Sequence, residues 1–178
     1  MKIITLHNKR FEVFIPETEI SEIVHSMANQ INNSRVKDPV FIAILNGSFL
    51  FASDIMRKIT IPNSQISFIK LSSYSGTETK GKVNELIGIS NNILGRNIII
   101  LEDIIDTGIT LEKIMSLLKK ENVADIKIAT LLFKPETYKK NIHIDFIGKS
   151  IPNNFVVGYG LDYDEIGRNL PHIYKLKN

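Results

Sequence analysis

The spacing of apolar residues changes character several times along the chain. Over residues 18–31, Ile20, Ile23, Val24, Met27, Ala28 and Ile31 recur at helical intervals behind Pro16 and the acidic Glu17 and Glu19, which predicts an amphipathic helix. After Asp38 and Pro39 the pattern becomes a continuous apolar run over residues 40–45, short enough for a strand covered on both faces. Asn46-Gly47 ends it before a second helix at 48–58. Residues 65–71 form the next strand. The stretch 72–82 holds two Gly and, apart from Tyr74, no large apolar side chain, which predicts a mobile loop. Strands follow at 83–89 and, across a turn at Gly95, at 98–101. A helix at 110–121 places Leu111, Ile114, Met115 and Leu118 on one face, and strands at 126–133, 142–147 and 155–158 complete the series. Short apolar runs alternating with helices predict an α/β fold with a mainly parallel sheet and ligand sites at the carboxyl ends of its strands.

Composition narrows the picture further. At 178 residues, with 43% apolar and 23% charged, the chain is expected to form a single domain over 1–178. A chain of that size buries roughly 70% of the surface its unfolded form exposes, without help from bridges or metals. The absence of Cys excludes disulfide scaffolds, Cys-zinc sites and thiol nucleophiles, and makes the cytoplasm the simplest location. Residues 1–7 meet polar positions too soon for a signal-peptide core, and no apolar run approaches the ~20 residues that span a bilayer. A soluble protein with no membrane partner is expected. The net charge of +3 is spread rather than blocked, so nothing points to nucleic acid. His7, His25, His143 and His172 share no ligand spacing, and no zinc site is expected.

The most informative stretch is residues 98–110. A buried strand, Ile98-Ile99-Ile100-Leu101, ends in the carboxylates Glu102, Asp103 and Asp106, and Thr107-Gly108-Ile109-Thr110 then opens a helix. Small residues before a helix present backbone N–H groups, two hydroxyls and the positive dipole end to an anion, so phosphate is the natural ligand. The carboxylates cannot bind that phosphate. They can accept hydrogen bonds from sugar hydroxyls, help hold Mg²⁺, or act as a general base. The plain alternative makes Thr110 a helix cap and the acids solvated turn residues.

This segment resembles the ribose-phosphate signature of the type I phosphoribosyltransferases, and Glu102-Asp103-Ile104-Ile105-Asp106-Thr107-Gly108 resembles its hypoxanthine-guanine branch. A second region agrees. Residues 155–165, Phe-Val-Val-Gly-Tyr-Gly-Leu-Asp-Tyr-Asp-Glu, followed by Arg168-Asn169-Leu170-Pro171, resemble that branch's base-binding segment, as do the smaller pieces Ser72-Ser73-Tyr74 and Leu132-Phe133-Lys134-Pro135. The resemblance runs from about residue 40 to residue 176.

It implies the type I phosphoribosyltransferase fold, with a central mainly parallel sheet flanked by helices and a small hood subdomain built from the chain termini. It also implies a purine-salvage reaction: hypoxanthine, and guanine, displaces pyrophosphate from phosphoribosyl pyrophosphate, with Mg²⁺ on the leaving group, to give IMP or GMP. On the same basis Thr107, Gly108, Ile109 and Thr110 hold the 5′-phosphate. Glu102 and Asp103 face the ribose hydroxyls and the metal's water shell, and Asp162 reaches Mg²⁺. Asp106 takes or holds the N7 proton of the base, Lys134 donates to O6, Phe155 stacks on the ring, and Val156 contacts the base through its backbone. Arg168, Asn46 and Gly47 face pyrophosphate, and Ser73 and Tyr74 close over it. A homodimer or homotetramer is implied. The ranking of hypoxanthine, guanine and xanthine stays open.

One departure stands out. Where relatives carry Leu-Lys-Gly, with a cis peptide, this chain has Leu45-Asn46-Gly47, so a cation is missing. Two decoys fail on physical grounds. Residues 76–82 imitate a P-loop but place Val83 where a Mg²⁺-binding hydroxyl belongs. Gly158-Tyr159-Gly160 begins like a dinucleotide fingerprint but has Tyr163 at the third glycine position. A second function class also fits the fold, a regulator that binds phosphoribosyl pyrophosphate and RNA or DNA; the scattered Lys residues and the base-binding segment weigh against it.

Overall fold

A computed structural model describes residues 3–71, 85–87 and 92–177. In chain order the elements are β1 (Ile3–Leu6), β2 (Lys9–Ile15), α1 (Glu17–Asn32), β3 (Val40–Ile44), α2 (Phe49–Met56), β4 (Gln65–Leu71) and β5 (Glu85–Ile87). Then come β6 (Asn97–Ile105), α3 (Ile109–Lys120), β7 (Asp125–Phe133), β8 (Phe146–Ser150), β9 (Val156–Val157) and β10 (Ile173–Leu176). Strands β4-β3-β6-β7-β8 lie side by side and parallel, and β5 adds an antiparallel edge next to β4.

Side chains on the central strands alternate between two cores, as the period of a pleated strand requires. Phe41, Ala43, Ile99, Leu101, Ala129 and Leu131 pack on one face, where α1 supplies Ile20, Val24, Met27 and Ile31. Val40, Ile42, Ile44, Ile98, Ile100 and Ile128 pack on the other, against Leu111, Ile114 and Leu118 of α3. Fully burying each such aliphatic side chain contributes about 1.5–3 kcal/mol. Two-sided burial explains why β3 reads as an unbroken apolar run.

The second sheet is antiparallel, ordered β1-β2-β10-β9, and draws on both ends of the chain. Phe11 pairs with Leu176 and Ile15 with Ile173, while Tyr174 pairs with Val157. Phe11, Val157 and Tyr174 form its own small core. This is the hood that the resemblance implies, although apolar spacing alone had not foreseen β1, β2 or β10.

The helices fall within one or two residues of expectation, and β4 matches it. Two strands differ. Instead of stopping at Leu101, β6 continues to Ile105, because its parallel pairing with β7 persists through Glu102↔Thr130, Ile104↔Leu132 and Ile105↔Phe133. The first two carboxylates therefore belong to the strand. The strand expected at 142–147 begins instead at Phe146 and runs to Ser150, in register from Ala129↔Phe146. Before it, the Ile142 carbonyl accepts from the Tyr138 hydroxyl at 2.7 Å and the Asp145 carboxylate accepts from the Ile128 N–H at 2.9 Å. The stretch 72–82 lies outside the described residues. Among the described residues no helix is long and apolar enough to cross a membrane.

Candidate active site

The site is built around the carboxyl end of β6. Alternation along the strand buries Asp103 beneath the sheet's end, while Glu102 sits between exposed and buried. One oxygen of Glu102, Oε2, is buried with no hydrogen-bond partner among the described residues. Burial, reinforced by neighbouring Asp103, holds the Glu102 carboxyl well above the usual range. Asp103 is pushed up to about 6, chiefly by burial. The Ile104 N–H, donating to its Oδ1 at 2.8 Å, and the Arg168 charge hold it down, while Asp162 pushes it up.

Beyond Ile105 the chain turns into α3. Gly108 is the N-cap at φ +81°, and no side chain caps the helix. Thr110 lies in the first turn, not at the cap, so the leading amides of α3 lack side-chain partners. A Cβ at Gly108 would stand 2.6 Å from Tyr138 Cε2 and 2.8 Å from Lys140 Cγ, so both the dihedral and the space demand glycine. Thr107, Ile109 and Thr110 are exposed around this turn, and residues 102 and 104–111 line a small cavity of about 100 Å³. Turn, dipole and open amides together can hold a phosphate.

Lys134, just past β7, is buried at 7% exposure rather than solvated. Its Nζ lies 2.8 Å from Asp106 Oδ2 and donates to Asn153 Oδ1 at 3.3 Å. Burial raises the Asp106 carboxyl, but hydrogen bonds involving Lys134 and Thr137, with the Lys134 charge, outweigh it, and the net shift is downward. Two residues beyond Asn153, Phe155 is 45% exposed. Its ring packs against Phe11 and Tyr163 at centroid distances of 6.2 and 5.7 Å, with Lys9 Nζ 5.9 Å away. This aromatic is a half-open platform and not core. Val156 is buried in β9, paired with Lys175.

A third group gathers where the 158–168 turn meets the β3–α2 connection. Arg168 donates to the Gly160 carbonyl at 2.9 Å and pairs with Asp162 Oδ1 at 2.8 Å and Glu165 Oε2 at 3.3 Å. A Cβ on Gly160 would run into the Gly47 carbonyl, and one on Gly47 would run into the Asp103 carboxylate. The Leu45–Asn46 peptide is cis. Three segments distant in sequence thus meet with no room for a methyl group. Ser73 and Tyr74 lie outside the described residues.

The donors here suit a hard divalent cation. Two adjacent carboxylates, Asp103 buried and Glu102 with one buried, unpartnered oxygen, would be relieved by such a charge, and oxygen-only donors are what Mg²⁺ prefers. No trio of His, Asp or Glu converges among the described residues, and none is needed where substrate phosphates supply the other ligands.

Reading the residues alone missed Asn153, Thr137 and Asp54, whose carboxylate Oδ2 accepts from the Tyr159 hydroxyl at 2.7 Å. The partners are far apart in sequence and carry no local motif.

A glycine-capped turn with open amides at the end of a parallel strand, beside Glu102, buried Asp103 and a Lys–Asp pair, has the make-up of a transferase site for a phosphorylated sugar. Residues 16–164 match the phosphoribosyl transferase domain, and the chain belongs to that family. Within it, the chain is 41% identical over 174 residues to the hypoxanthine-guanine phosphoribosyltransferase of Staphylococcus aureus (strain Mu50 / ATCC 700699), covering 97% of each. It is 42% identical over 170 residues to the hypoxanthine phosphoribosyltransferase of Buchnera aphidicola subsp. Schizaphis graminum, covering 93% of this chain and 95% of that one. A crystal structure of hypoxanthine-guanine phosphoribosyltransferase from Bacillus anthracis superposes with a TM-score of 0.86 at 41% identity, covering 93% of this chain and 98% of that one. These relatives are named as transferases, and their names lend no support to a nucleic-acid-binding regulator.

Proposed function

We propose that the protein is a hypoxanthine phosphoribosyltransferase of purine salvage, joining hypoxanthine, and guanine, to phosphoribosyl pyrophosphate with release of pyrophosphate. The observation that carries this reading is the buried Lys134 held against Asp106 beside the phosphate turn. Lys134 offers donors only, so it suits a 6-oxo group and opposes the amino group of adenine. In the free protein Asp106 is a weak base, because Lys134 stabilises its carboxylate. When O6 of the base draws Lys134 away, Asp106 becomes more basic at the point where it takes or holds the N7 proton and N9 attacks the sugar.

The other assignments carry the family resemblance onto this chain's residues. The amides of Gly108, Ile109 and Thr110, with the Thr107 and Thr110 hydroxyls, hold the 5′-phosphate. Phe155 offers a ring face to the purine, and Val156 presents backbone groups to it. Arg168, Asn46 and Gly47 face pyrophosphate. Ser73 and Tyr74, outside the described residues, are assigned to the leaving-group side of the site by the family resemblance alone, where excluding water would protect an oxocarbenium-like centre. Asp162, with Glu102 and Asp103 facing its water shell, would hold Mg²⁺, which when bound neutralises charge on the departing pyrophosphate. The chain is proposed to act as one domain, as a homodimer or homotetramer, in the cytoplasm. A panel of purine bases with phosphoribosyl pyrophosphate and Mg²⁺ tests the reading: nucleotide formation from 6-oxopurines and none from adenine is expected, and efficient adenine turnover would overturn it.

A further inference from the structure

Tyr159 stands out because the proposed chemistry gives it no part. It is a bulky residue at φ +49°, between Gly158 at +98° and Gly160 at +99°, in a backbone region that favours glycine. Main-chain bonds hold this bend without its side chain: Gly158 N donates to Leu161 O at 2.9 Å, Tyr159 N to Leu170 O at 2.8 Å and Gly160 N to Arg168 O at 2.9 Å. The side chain, 7% exposed, crosses to α2 and donates its hydroxyl to Asp54 Oδ2 at 2.7 Å.

Two attachments therefore join the 158–168 turn to the segment that follows β3. The first is Gly160 resting on the Gly47 carbonyl. The second is Tyr159 on Asp54, about two helical turns further along α2. One contact leaves a turn free to swivel; two fix its orientation. What the turn carries is Arg168, bonded to Gly160 O and Asp162, with both charges acting on buried Asp103.

We propose that Tyr159 is a positioning residue, whose hydroxyl bond to Asp54 fixes the turn so that Arg168 and Asp162 meet the pyrophosphate end of the substrate. This rests on the transferase reading above. It concerns the sugar-phosphate substrate and not the purine, because Phe155 and Lys134 lie outside the turn, just before β9 and just past β7.

Substitution at this pair should leave the fold intact. Asp54 and Tyr159 both line a cavity of about 490 Å³ between α1, α2 and residues 169–171, so water can replace the lost hydroxyl. Tyr159→Phe and Asp54→Ala should each raise KM for phosphoribosyl pyrophosphate by about tenfold, with kcat and the hypoxanthine KM within about twofold of wild type. Asp54→Asn, which keeps an acceptor oxygen, should restore most of that affinity. The double variant Tyr159→Phe/Asp54→Ala should be no worse than either single one. Calorimetric titration of phosphoribosyl pyrophosphate with Mg²⁺ reads the same loss without turnover. Unchanged affinity in both single variants, or equal losses for the two substrates, would overturn the proposal. If Tyr159→Phe fails to fold by circular dichroism, the Asp54 pair decides alone, with Ala weakened and Asn restored supporting it and equal behaviour overturning it. A wild-type protein that neither binds phosphoribosyl pyrophosphate nor forms nucleotide would instead sink the transferase reading itself.

Discussion

Asp103→Asn should stabilise the free protein relative to wild type as pH rises, even as it damages the site. Burial raises the Asp103 carboxyl from 3.8 to about 6. That difference of about two units, at about 1.36 kcal/mol each, corresponds to about 3 kcal/mol. Because the folded state holds the proton more tightly than the unfolded chain, the contribution is fully present below pH 3.8 and is lost as pH rises through about 6. Asparagine has no charge to bury, and its Oδ1 can still accept from the Ile104 N–H, now bonded at 2.8 Å. It also removes the neighbouring charge that helps to raise Glu102, so the change belongs to the coupled pair. Urea unfolding followed by far-ultraviolet circular dichroism suits a chain without Trp. With divalent cations chelated, the stability difference between the two proteins should shift by about 3 kcal/mol between about pH 4 and about pH 8, against the wild type. Parallel curves, or a wild type that gains on the variant with rising pH, would refute burial as the cause.

Asp106→Asn should lower kcat at least ~10²-fold while leaving phosphoribosyl pyrophosphate affinity nearly unchanged in calorimetry, since a base acts in the transition state. Gly108→Ala combines a strained φ of +81° with a clash against Tyr138. It should cost about 1–3 kcal/mol in denaturant unfolding, and affinity for phosphoribosyl pyrophosphate should fall in the same variant.

Legibility in the sequence followed distance along the chain. The α1 stripe and the β4 run are local patterns, and residues 102–110 carry acids, turn and helix start in one contiguous stretch, so chemistry could be read there directly. Ending the strand at Leu101 was an error of the same local reading: acids usually stop a buried strand, but β7 continued to pair beside them. Strands β1, β2 and β10 escaped because hood strands are half exposed, β1 pairs only with its neighbour β2, and β2 and β10 find each other across the length of the chain, although Phe11, Val13 and Ile15 do alternate. The Lys134–Asn153 and Tyr159–Asp54 bonds join residues 19 and 105 positions apart, which no spacing rule reaches.

The hood rests on a core of its own, Phe11, Val157 and Tyr174, small beside the two cores that clasp the parallel sheet. Elements with little buried apolar surface open at lower free energy than the rest of a fold. The wall behind Phe155 belongs to the hood, whereas the phosphate turn belongs to the large sheet. Warming should therefore separate the two affinities: purine recognition fades as the hood opens, while the sugar-phosphate cradle persists until the sheet itself melts.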